Sequence, residues 1–102
     1  MADATDSAFY DRADAHIELS NEQLKTLENI GQVSASMTFG TTRFNAWASA
    51  RSFKSGAEMA DAREALLKYF TEQYRLMLED NLDDHINNFS QYMQVNASPA
   101  GE

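Results

Sequence analysis

Apolar residues recur along this chain three or four positions apart, the spacing that lines one face of an α-helix. The clearest run covers residues 57–93, which contain neither Gly nor Pro. Within it Met59, Leu66, Phe70, Tyr74 and Met77 share one face. Leu78, Leu82, Ile86, Phe89 and Met93 share another, roughly a quarter turn around, whereas a supercoiled seam drifts only about 20° per heptad. Asp80 and Asn81 sit at the changeover. Either the helix kinks or restarts near Asn81, or it runs on and its two halves meet different partners. Nothing in EDNLDDH is a strong breaker, so a continuous helix is predicted.

The earlier part of the chain predicts two shorter helices. Asp6 or Ser7 can cap a first helix over residues 7–29, whose stripe is Phe9, Ala13, Ile17, Leu24 and Leu27, interrupted by Ser20 and Asn21. Gly31 reads as its C-terminal stop, and residues 32–36 as a connection in which Ser34 or Ser36 caps the next helix. That second helix, residues 37–53, gathers Thr38, Thr41, Thr42, Asn45, Ser49 and Ser52 on one narrow arc. Apolar residues fill the remainder, which predicts a helix covered from more than one side. Its three Thr and Gly40 lower its intrinsic propensity, so packing must hold it.

The predicted fold is all-α: three main helices in one domain over residues 6–95, with a disordered segment at 1–5 and a polar, flexible tail at 96–102. The third helix would extend about 55 Å, against about 35 and 25 Å for the others. Its overhang is apolar, carrying Leu78, Leu82, Ile86, Phe89, Tyr92 and Met93. A stripe of that size is unusual on a monomer, and twofold pairing closes it most simply, so a homodimer is predicted to complete the bundle. A chain folding back near Asn81 is the competing solution.

Composition narrows the function classes. One Pro and four Gly are too few for an all-β protein of 102 residues. With no Cys, there is no disulfide framework, zinc knuckle or thiol nucleophile. A net charge of −8 repels nucleic acid and anionic lipid, so neither is an expected partner. The first thirty positions hold seven acids against Arg12 and Lys25, whereas six of the eight bases lie between Arg43 and Arg75. The N-terminal sequence lacks the basic and apolar regions of a secretion signal, and no apolar run suits a membrane span, so a cytoplasmic protein is expected.

Motifs that would carry catalysis are missing. The Glu-x-x-His pairs of di-metal bundles are absent, since Ala13 and Leu82 stand three before His16 and His85. Asp80, Asp83, Asp84 and His85 lack calcium-loop spacing and read as a solvated face. No metal or cofactor is expected, and no catalytic residue is assigned. Arg43 alone projects into the apolar arc of the second helix, which predicts a buried guanidinium paired with Asp14, Glu64 or Glu72. Two functions follow: a non-enzymatic interaction module acting as a homodimer, or a small-molecule or anion-binding protein, or an enzyme of a new kind, with a pocket around Arg43, Asn45 and Trp47.

Three blocks in order resemble a known family: FYDRAD from Phe9, VSASMTFGTTRFNAW from Val33 and YFTEQYRLMLEDNLDDHINNF from Tyr69. The family comprises small proteobacterial proteins classed as a domain of unknown function. The resemblance implies a bacterial, cytoplasmic, helical protein and transfers no catalytic residue.

Overall fold

A computed structural model describes residues 6–26 and 29–93. The expected segment at 1–5, the tail at 96–102 and the last turn assigned to the first helix at Leu27 and Glu28 lie outside the described residues. All regular structure among the described residues is helical: α1 (Phe9–Thr26), α2 (Ile30–Ala50), α3 (Gly56–Asp61), α4 (Arg63–Asn87) and α5 (Phe89–Met93). The chain divides into two units, one ending at Phe53 and the other starting at Lys54.

In the first unit, Asp6 caps α1. Its Oδ1 accepts the Ala8 N–H at 2.9 Å, and its carboxylate also holds the Arg12 guanidinium at 3.0 Å. The hydrogen bond from Arg12, helped by the one from Ala8, keeps the Asp6 carboxyl below its ordinary pKa. Helix α2 starts at Ile30, seven residues before the expected Met37. The cap is Asn29, extended at φ −86° and ψ 103°, whose Oδ1 accepts the Gln32 N–H at 3.1 Å. Gly31 is therefore not a stop. A Cβ placed on it would lie 3.1 Å from Asn29 Oδ1, so glycine leaves the capping amide its space. Ser34 and Ser36, expected to cap, lie inside the helix.

The Ser and Thr arc of α2 is satisfied locally. Thr38, Thr41 and Ser49 donate to the carbonyls of Ser34, Met37 and Asn45 one turn back, at 2.8–3.0 Å. Helices α1 and α2 pack together beside their connection, where Val33 is 4% exposed and Leu24, Ser20 and Met37 are half-buried. Ser20 Oγ donates to Met37 Sδ at 3.2 Å across this contact. Further along α2 the packing fades: Phe39, Phe44 and Trp47 are all exposed. The arc expected to be covered from several sides is open at Phe39, Phe44 and Trp47.

In the second unit, Ser55 caps α3 by accepting the Glu58 N–H at 3.1 Å, and the Glu58 side chain accepts the Lys54 N–H at 2.6 Å. This reciprocal arrangement is a variant of the capping box. The single helix expected over residues 57–93 is three helices. Ala62, at φ −97° and ψ 1°, separates α3 from α4, and Asn88, at φ −121° and ψ 28°, separates α4 from α5. At Asn81 the helix is unbroken; the Asn81 amide turns back to donate to the Met77 carbonyl at 2.9 Å. A restart there is overturned, and the breaks fall at Ala62 and Asn88 instead. Met59, Ala62, Leu66, Tyr69 and Phe70 are half-buried around the α3–α4 junction, whereas every residue from 71 to 87 is exposed.

Candidate interaction surface

Projected at 100° per residue, Leu67, Thr71, Tyr74, Leu78, Leu82, His85 and Phe89 fall on one strip of the α4–α5 surface, flanked by Ile86 and Met93. Its large apolar members are 41–68% exposed, as are the expected dimer residues Leu78, Leu82, Ile86, Phe89, Tyr92 and Met93. The strip is about 33 Å long. It starts earlier than the periodicity suggested. Leu67 was missed, and Tyr74 was placed on the Leu66 and Phe70 face, which is the half-buried one. The signal was available in the spacing, since Leu67, Tyr74 and Leu78 are seven and then four apart.

Charged residues border the strip. Arg75 is held by Glu72 at 2.7 Å and by Glu79 at 2.9 Å, a ladder along the outside of the helix. The Arg75 hydrogen bond keeps the Glu72 carboxyl below its usual range. Near the far end, Tyr92 donates its hydroxyl to Asp84 Oδ1 at 3.2 Å, and its ring lies 5.0 Å from that of His85. The hydrogen bond to Asp84 and that carboxylate's charge raise the pKa of the Tyr92 phenol. His85 Nδ1 lies 2.9 Å from the Asn81 carbonyl, which can only accept, so Nδ1 is the donor of this contact.

The other expected site is arranged differently from its prediction. Arg43 is exposed, not buried. Its guanidinium carbon stands 5.9 Å from the centre of the Phe39 ring, and no ion pair to it occurs among the described residues. Of its expected partners, Glu64 pairs with Arg63 and Glu72 with Arg75. An uncovered arc gives a guanidinium water on its outer side, so no carboxylate is needed. Trp47 lies one turn on, packed 5.6 Å from Phe44 and with Arg51 at 5.4 Å from its ring. Asn45 is half-buried on nearly the opposite side of α2, so the helix brings Arg43 and Trp47 together and leaves Asn45 apart. Phe39, Arg43, Trp47 and Arg51 form an open aromatic and cationic face on a helix that has no acid.

A depression of about 280 Å³ on α1 is lined by Phe9, Arg12, Ala13 and His16. All four come from one helix and Arg12 is committed to Asp6, so it offers no convergent chemistry. Among the described residues, no three His, Asp or Glu side chains converge to hold a metal ion, and no helix is long and apolar enough to cross a membrane.

This all-helical architecture, with apolar and charged faces rather than a cleft, is a fold shared with known proteins. Residues 9–86 match the family described as "Protein of unknown function (DUF3144)", and the chain belongs to that family. It is similar to the protein NB7890A from Shewanella sp, solved by NMR, with 34% sequence identity and a TM-score of 0.74. That similarity covers 92% of this chain and 99% of the Shewanella chain. No curated protein matches the sequence.

Proposed function

We propose that the protein is a non-enzymatic interaction module that acts as a homodimer, with the α4–α5 strip as the face where two copies meet. The observation that carries this reading is the exposure of Leu67, Tyr74, Leu78, Leu82 and Ile86 along one side of α4, continued by Phe89 of α5, in two helices with no buried residue. Hydrophobic burial is the main driving force for association, and a patch of this extent is costly to leave in water. The relative from Shewanella supports a bacterial setting, and the acidic, cysteine-free composition suits the cytoplasm. Light scattering of native protein and of a Leu82→Asp, Phe89→Asp variant tests the reading. A native dimer that becomes monomeric in the variant supports it; a native monomer, or a variant that stays dimeric, defeats it.

A second reading is favoured by the aromatic and cationic face of α2. Arg43 and Trp47 are residue types enriched in binding hot spots, and Arg43 has no carboxylate partner among the described residues. On this reading the face takes a small anionic ligand. A thermal-shift screen of anions, repeated on Arg43→Ala, tests it; a rise in Tm lost in the variant supports the face, and equal rises in both reject it.

A further inference from the structure

We infer that two copies pair through α4 in antiparallel orientation, on a twofold axis at Leu78. The inference rests on the homodimer reading and adds its geometry. Read from Leu67, the strip advances by four, three and four residues to Leu78, then by four, three and four to Phe89. The spacing is a palindrome. An antiparallel twofold at Leu78 sets Leu67 beside the partner's Phe89, Tyr74 beside the partner's Leu82, and Leu78 beside its own copy. Each apolar position meets an apolar one, as a self-complementary interface requires.

Charge chooses between the two orientations. Before Leu78, α4 carries Arg63, Lys68 and Arg75 with Glu64 and Glu72; after it come Glu79, Asp80, Asp83 and Asp84, with no Lys or Arg. Parallel pairing would lay four carboxylates along four carboxylates. Antiparallel pairing lays each acidic half along the half that holds the bases, and it also opposes the helix dipoles. Each exposed pair is weak. The two orientations bury the same strip, so the charges need only break a tie.

Area and polarity fix the register. A strip about 33 Å long on a helix about 10 Å wide falls short of the roughly 800 Å² per partner that a stable interface covers, so all of it has to be used. Sliding by one turn would unpair Leu67 or Phe89 at the ends, so full overlap is favoured. Within the strip, Thr71 meets the partner's His85. The Thr71 hydroxyl both donates and accepts, so it suits His85 Nε2 whether or not that nitrogen carries a proton, twice by symmetry. A polar pair inside an apolar seam penalises other registers.

The chain has no cysteine, so single-cysteine variants of the full protein report contacts without background. Leu67→Cys, Leu78→Cys and Phe89→Cys alter only exposed positions and leave the monomer fold intact. Under oxidation, Leu78→Cys is expected to double in mass on a non-reducing gel. Leu67→Cys and Phe89→Cys are expected to stay monomeric on the gel when alone, and to form the mixed disulfide when combined and allowed to exchange. Self-linking at Leu67→Cys and Phe89→Cys would show parallel pairing and overturn the inference while leaving the homodimer standing. A native dimer that links at none of the three positions would overturn it too, by placing the seam elsewhere. A native monomer by light scattering would overturn the homodimer reading itself.

Discussion

The hairpin of α1 and α2 and the long helix α4 start from similar sequence patterns and end in different circumstances. In the hairpin, Val33 is sealed and Leu24 and Met37 are half-covered, because α1 returns over α2 beside the connection. In α4 the same three-and-four spacing leads from Leu67 to Phe89 with nothing sealed. Local terms define both regions: Asn29 closes the N-terminus of α2, Ser55 that of α3 ahead of α4, and Arg75 ties two turns of α4 together. Such local terms contribute a few tenths to about 1 kcal/mol each. Isolated helices are marginal in water, so α4 needs a surface to lie against. In the hairpin Val33 is sealed while Phe39, Phe44 and Trp47 stay exposed; in α4 nothing is sealed, and the proposed second copy would lie there.

The largest effect that would break this contrast is at the strip. Leu82→Asp with Phe89→Asp is expected to weaken dimerisation by about 4 kcal/mol or more, roughly a thousand-fold in Kd, measured by sedimentation. The hairpin should respond in stability instead. Val33→Ala removes two sealed methyl groups and is expected to cost about 2 kcal/mol, read as a fall of roughly 10 °C in Tm. A loss within experimental scatter would mean that the hairpin does not close on Val33. Asn29→Ala should cost about 1 kcal/mol by removing the cap of α2, whereas Asn29→Asp should be tolerated.

Smaller effects sharpen the comparison. Arg43→Ala is expected to change stability by about 0–1 kcal/mol, as an exposed guanidinium resting on a ring should; a loss of several kcal/mol in denaturant unfolding would restore the buried pair. Asp6 gives the smallest effect. Its folded-state pKa lies below the ordinary value of 3.8, so its contribution is complete above that value and is lost as pH falls through the lower folded one. An NMR titration should show the Ala8 and Phe9 amides loosening only under acid conditions below that ordinary value. Loosening nearer neutral pH would disprove the Asp6 cap.

The helical class was legible because it depends on periodicity alone. Helix boundaries depend on which polar group turns back on the backbone, and there the reading went astray. Gly31 resembles a C-terminal stop, but the chain uses the amide of Asn29 as a cap and keeps Gly31 as the open space beside it. No residue type at Ala62 announces the break between α3 and α4, since alanine favours helix. Arg43 was read as buried because a wide apolar arc usually means full coverage, and in this chain the side of α2 that holds Arg43 and Trp47 is exposed. The candidate strip was half legible. Leu78 to Met93 stood out, whereas Leu67 and Tyr74 joined it only when exposure separated them from Leu66 and Phe70.

The central claim is that α4 is completed by a second copy of the chain. Sedimentation equilibrium of the native protein over micromolar concentrations tests it most directly. The account predicts a species of twice the 11.5 kDa chain mass that dissociates on dilution, with helical circular dichroism falling as it does. A mass of 11.5 kDa throughout, with helicity independent of concentration, would contradict it.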